Sequence, residues 1–208
     1  MSTETDDLTR TRTTLLYRLR DLDDQASWQE FFDTYWKLIY SVACRYGFTE
    51  AAAEDIVQET MVAVSRHMPE FRYDPAKGSF KTWLLQITRS RIYDALRRTR
   101  YKQEDQYRQR EVALKTTVME SYPAPEDARL DAMWEEEWRK HLIERALEQI
   151  KRTANAKEFQ MFCLHVVKNV AARDVARGLG AKLSEVYAAK YKLAPRLERE
   201  LKRLADEL

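Results

Sequence analysis

An all-α fold is predicted by three observations on this 208-residue chain. It has only 4 Gly and 5 Pro, too few for the turns that β-sandwiches and hairpins need. Charged residues make up 34%, amid the Leu, Ala, Glu and Arg that favour amphipathic helices. Apolar residues also recur at three- and four-residue spacing along most of the chain. The length allows one ordinary domain or two small ones.

The elements follow in order. After a polar tail, Leu15, Leu16 and Leu19 mark a short helix that ends at Asp23-Asp24. Ser27 and Glu30 have capping-box spacing, and Phe31, Phe32, Tyr35, Leu38, Ile39, Val42 and Tyr46 then form a helical stripe that Gly47 stops. Thr49 is placed to cap a second helix, with Ile56, Val57, Met61 and Val64 inward and Glu54, Asp55, Gln58 and Glu59 outward, ending near Met68-Pro69. A loop over 71–78 leads to Ser79 as the next cap, and Phe80, Trp83, Leu84 and Ile87 share one face of a third, basic helix.

The pattern weakens after Arg98, and Ser121-Tyr-Pro-Ala-Pro125 is the strongest breaker cluster. Leu130, Trp134, Trp138 and Leu142 restart a helix. Phe159 to Val167 predicts another, Val170 to Gly178 a short one, and Leu183 to about Leu204 a last one that Pro195 is placed to kink. The expected organisation is a tail and short helix over 1–26, a first domain over 27–99, a linker over 100–128 and a second domain over 129–208.

The net charge of +2 conceals a strong segregation. Residues 77–102 hold eight basic side chains against Asp94, a balance of +7; residues 120–148 come to −5, and 151–208 to +6. Two basic regions therefore flank an acidic one, and any nucleic-acid surface must lie in the basic pair. Cys44 and Cys163 lie among apolar residues with no CxxC spacing, so they read as reduced core residues. The polar N-terminus lacks a signal-peptide pattern and no run reaches 18 apolar residues, so the expected location is cytoplasmic.

No catalytic constellation is legible, and the reading is that the protein is not an enzyme and needs no cofactor, metal or small-molecule substrate. His67, His141 and His165 sit in no metal or nucleophile signature, and there is no Gly-rich phosphate loop. Glu135, Glu136 and Glu137 are consecutive, so they fan around a helix and cannot jointly clamp one ion; a solvated face is the expectation.

Two binding signatures remain. Asp174-Val-Ala176, Leu179-Gly180 and Val186 have the spacing of a helix-turn-helix, whose second helix enters the major groove while flanking Lys and Arg take phosphates. A plain helical hairpin with a basic solvated face gives the same pattern. In the loop and helix from Phe71 to Arg98, aromatics stand beside dense positive charge, as in single-strand binding, where rings stack on bases and cations hold the backbone. Phe80, Trp83, Leu84 and Ile87 fit a core stripe, leaving Phe71, Tyr73 and the polar helix face as contact candidates.

These segments, in this order, resemble a bacterial sigma factor. Asp55-Ile-Val-Gln-Glu59, Phe71 through Leu84, and Ile87 through Arg98 are similar to regions two-one to two-four, and Asp174 through Val186 to region four-two. With only a short linker between, the chain most resembles the extracytoplasmic-function (ECF) group, and the resemblance covers nearly everything from Trp28 to Leu204. It implies that Asp55, Gln58 and Glu59 dock on the clamp helices of the RNA polymerase β′ subunit, with the β subunit also contacted. It further implies that the loop holding Phe71, Tyr73 and Lys77 captures a flipped base of the minus-ten element. Lys81, Arg89, Ser90, Arg97 and Arg98 would then line the path of the non-template strand. Lys182, Ser184, Glu185, Tyr187, Lys190 and Lys192 would meet the minus-thirty-five element. An anti-sigma factor is a possible further partner. The sequence departs from the family pattern at Ser90, where Asn is common, and at Ala188 and Ala189, where basic or polar groups are frequent. The rival readings are a stand-alone helix-turn-helix regulator that binds an operator without polymerase, and a helical adaptor with no DNA role.

Overall fold

The computed structural model describes residues 11–71, 79–108 and 127–206, and among these it is all helical, with no strand. The helices are α1 (Thr11–Arg18), α2 (Gln25–Tyr46), α3 (Glu50–His67) with a 3-10 turn at Met68–Glu70, α4 (Phe80–Arg108), α5 (Ala128–Thr153), α6 (Ala156–Phe162), α7 (Ala172–Gly178) and α8 (Leu183–Asp206). They group into two compact units, Met1–Trp138 and Arg139–Leu208, with the boundary inside α5.

In the first unit the predicted stripes become the core. Phe31, Ile39, Val42, Ile56, Val64, Phe80 and Leu84 are all fully buried. Each such side chain contributes about 1.5–3 kcal/mol relative to exposure. At their centre is an aromatic cluster: Phe31 and Tyr35 have ring centroids 4.8 Å apart, and Phe80 lies 5.4 Å from Tyr35 and 6.1 Å from Phe31. Phe32 departs from its expected inward place. It is exposed and stacks on Trp36 along the outer face of α2.

Local chemistry sets the helix ends. Thr49 caps α3 by accepting from the Ala52 amide, and Ser79 caps α4 by accepting from the Thr82 amide at 3.3 Å, both as expected. The start of α2 differs. Its cap is Asp24, whose carboxylate accepts from the Ser27 amide at 3.0 Å and from the Ser27 hydroxyl at 2.6 Å. Ser27 is thus a buried member of the first turn rather than the cap, and α2 begins three residues earlier than the Ser-x-x-Glu spacing implies. Gly47 ends α2 in the left-handed region, at φ 119°, and its N–H reaches the Ala43 and Cys44 carbonyls.

Two boundaries also differ from the sequence reading. Helix α4 continues to Arg108, so 100–108 is helical where a linker was expected. The start of α5 groups with the first unit, because Leu130, Trp134 and Trp138 are buried there: Trp138 stacks on Tyr35 at 6.2 Å and on Trp134 at 5.9 Å.

In the second unit, Met161, Ala172, Val175, Ala176, Val186 and Ala189 form one cluster, and Ile150, Phe162 and Leu193 another. The expected single helix over 159–167 divides at Phe162 into α6 and a π turn, Cys163–Val167. Gly180 takes φ 55° in the turn between α7 and α8, which is why glycine suits that place. Helix α8 runs unbroken through Pro195, an exposed position.

Candidate functional site

The residues expected to meet a polymerase lie on α3. Asp55 and Gln58 are exposed, whereas Glu59 is half-buried and paired with Arg98 of α4 at 2.7 Å. Hydrogen bonding to Glu59 raises the Arg98 pKa further, so this cation is held charged and in place. One residue of the expected polymerase set and one of the expected strand set are therefore partners of each other.

The residues expected to meet a single strand lie on α4 and in the stretch just before it. Tyr73 and Lys77 lie outside the described residues. Phe71 is half-buried, its ring 4.4 Å from Trp83 and 6.4 Å from Phe80, so it extends the aromatic cluster toward the loop. Arg97 pairs with Asp94 at 2.7 Å, and Ser90 accepts from the Arg91 guanidinium at 3.2 Å. Lys81 and Arg89 both point to α5. Lys81 is 2.6 Å from Glu135, and Arg89 pairs with Asp131.

On the acidic face of α5, Glu135 and Glu136 are exposed as expected yet ion-paired, and Glu137 is not solvated. Glu136 and Glu137 both engage Arg45 of α2, at 2.7 and 2.6 Å, and Glu137 is buried. The hydrogen bonds that Arg45 donates to Glu136 and then Glu137 push its pKa up. Asp127 accepts from the Tyr46 hydroxyl at 2.8 Å and the Tyr93 hydroxyl at 2.9 Å, while it also caps α5 by accepting from the Arg129 and Leu130 amides. The Tyr46 bond, ahead of the others, holds the Asp127 carboxyl below its usual range. Burial is the main cause pushing both phenols up. Arg45, Tyr93, Asp127 and Asp131 are not singled out in the sequence, and Tyr46 only as a member of the α2 stripe. Their only signal was the acidic block, and nothing in it indicates partners some 91 residues away, as Glu136 is from Arg45.

In the second unit, α7, the Gly180 turn and α8 build the helix-turn-helix around Val175, Ala176, Val186 and Ala189. Lys182, just before α8, and Ser184, Tyr187 and Lys190 on it are exposed. Tyr187 meets the His165 ring edge-on at 5.8 Å. Glu185 accepts from the Lys182 amide at 2.6 Å, half of a capping box, so it also shapes the helix start. Lys192 pairs with Glu158 at 2.7 Å. Ala189 is small because it is buried in the hairpin core, while Ala188 is exposed. Among the described residues no group of three His, Cys, Asp or Glu is placed to hold a metal ion, and no helix is long and apolar enough to cross a membrane.

The family described as Sigma-70 region 2 matches residues 31–101. Residues 31–101 resemble sigma-70 region 2. The matched stretch takes in most of α2, all of α3 and α4 as far as Tyr101. A curated relative, the ECF RNA polymerase sigma factor RpoE of Cereibacter sphaeroides, is 30% identical over 86 residues, which are 41% of this chain and 46% of that protein. The chain thus matches about half the length of that relative. The kinship with ECF sigma factors expected from the motifs is borne out by these two matches. Among solved structures, the RsbN-BldN complex aligns over 88% of this chain and 97% of the matched chain, at 16% identity and a TM-score of 0.34.

Proposed function

We propose that this protein is a non-catalytic initiation factor that binds core RNA polymerase, recognises the minus-ten and minus-thirty-five elements and stabilises the melted strand. The observation that carries the reading is the pairing of a region 2 domain with a helix-turn-helix in one chain. Asp55 and Gln58 are the exposed acidic and polar contacts to the β′ clamp helices, and an acidic face meeting a basic partner gives orientation and a fast on-rate. Phe71 and the basic face of α4 serve the single strand; Lys182, Ser184, Tyr187 and Lys190 serve the upstream duplex. Extracting a base from the stack costs a few kcal/mol, which ring and phosphate contacts must offset. An anti-sigma factor is the regulatory partner this reading allows for.

Run-off transcription from a randomised promoter library, with core polymerase and with or without this protein, tests it. Transcripts that need the protein and share two spaced motifs are expected. Their absence, with no co-elution with core, would overturn the reading and favour a regulator that binds an operator alone.

A further inference from the structure

Helices α4 and the start of α5 run antiparallel in the first unit: Lys81, Arg89 and Tyr93 meet Glu135, Asp131 and Asp127 in turn. The contacts follow helical spacing. Positions 127, 131 and 135 are one helical turn apart on α5, and 81, 89 and 93 are whole pairs of turns or single turns apart on α4. Leu130, Trp134 and Trp138 are buried beside this row and hold the carboxylates against the cations. The side chain of Arg89 is 13% exposed and that of Lys81 24%, so the segment covers the charges it neutralises. The row is therefore a docking surface made of cations, phenols and an aromatic rim, and its occupant in this structure is the chain's own acidic segment.

A phosphate backbone presents the same chemistry as that segment, a line of anions at regular intervals. A lysine or guanidinium held by a carboxylate cannot at the same time hold a phosphate, and the apolar rim blocks approach to the row. We infer that residues 127–138 act as an internal substitute for single-stranded DNA, covering Lys81 and Arg89 in the free protein, and that strand binding at these residues requires the segment to leave. This rests on the strand-binding reading of α4 given above. The consequence is a conformational tax: apparent affinity for a strand is the intrinsic affinity multiplied by the fraction of molecules with the row uncovered.

The test uses the full chain without polymerase and a 20-residue oligothymidylate as the probe. Asp131→Asn, Glu135→Gln and Glu136→Gln are combined, because these three carboxylates are partly or well exposed and their amides keep the shape. The variant should bind the probe about ten-fold tighter than the parent at moderate salt, since weakening three ion pairs raises the uncovered fraction by about that factor. Adding Lys81→Ala and Arg89→Ala to the variant should remove the gain. Hydrogen exchange on the parent should show amides 128–138 losing protection when the probe binds. A thermal melt with the parent's helical signal establishes that the variant is folded. Equal affinities in a folded variant, no binding by either protein, or binding with protection at 128–138 unchanged would each overturn the inference. The transcription experiment is independent: a chain that opens on the probe yet supports no run-off product would remove the initiation role and leave the covering contact standing.

Discussion

Glu59 of α3 and Arg98 of α4 form an ion pair at 2.7 Å, joining two helices whose outer faces the family resemblance assigns to different partners. The pair is half-exposed, so its Coulomb energy is largely offset by hydration and side-chain entropy. Asp55 and Gln58 on the same helix stand in solvent. This separates a structural role from a docking one within a single stretch of five residues.

Asp55→Ala combined with Gln58→Ala should therefore weaken binding to core polymerase about ten-fold with the helical signal unchanged, a loss of roughly 1.4 kcal/mol. Glu59→Gln should change that affinity much less, because its carboxylate is already occupied by Arg98. A fluorescence polarisation titration of labelled protein against core reads both. Unchanged affinity in the double variant would remove α3 from the interface.

Phe80→Ala should destabilise the first unit by about 3–5 kcal/mol, the range for truncating a fully buried aromatic. Its ring touches both Phe31 and Tyr35, so no neighbour fills the cavity without leaving its own contacts. Urea unfolding followed by far-ultraviolet dichroism checks the value. Trp83→Ala should cost less, as that ring is only half-buried.

Much of this core is legible in the sequence because helical periodicity is a local property. The α2, α3 and α4 stripes place Phe31, Ile56 and Phe80 inward, and each is fully buried. Caps are legible only where one candidate stands alone: Thr49 and Ser79 have no competitor, whereas Asp24 outcompetes Ser27 because its carboxylate reaches two donors at once. The acidic flank of α5 reads as solvated, which holds for Glu135 and Glu136 and fails for Glu137; its partners Arg45, Lys81 and Arg89 are brought there by tertiary packing that no local pattern encodes. For the same reason, the periodicity that fades after Arg98 hides the last turns of α4.

The Asp127 contact should be lost in acid. Hydrogen bonds from Tyr46, then from the Leu130 amide and Tyr93, lower its folded pKa below the unfolded value. A group shifted this way stabilises the fold at pH above its ordinary range, and the stabilisation disappears as pH falls through the folded pKa. The urea midpoint of the first unit should thus fall as pH drops below about 4. Asp127→Asn should flatten that dependence, measured by tryptophan emission, since Trp134 and Trp138 lie about two and three turns further along the helix. An identical pH profile in the variant would show that other carboxylates carry the effect.

Gly180→Ala should lower the stability of the second unit by about 1 kcal/mol. The added methyl meets no atom within 4 Å, so the cost is the left-handed backbone at φ 55° alone. Gly178→Ala, where the backbone is helical and the space is also open, should be neutral or mildly stabilising. Thermal unfolding of the two variants side by side separates the turn's conformational demand from any steric one.

On α8 and at its start, the exposed and the ion-paired lysines should behave differently. Lys182 and Lys190 are exposed, while Lys192 is tied to Glu158 at 2.7 Å. If the first two take phosphates, Lys182→Ala and Lys190→Ala should each weaken holoenzyme binding to a promoter and reduce its salt slope by about one. Lys192→Ala should reduce the slope less, because binding through Lys192 must first break its pair with Glu158. Titrations at several salt concentrations, on templates with and without the upstream element, give the slopes. Equal activity on the two templates would refute a role for α8 in reading that element, and a loss at Lys182 or Lys190 that varies with base sequence would reassign that lysine from a phosphate to a base edge.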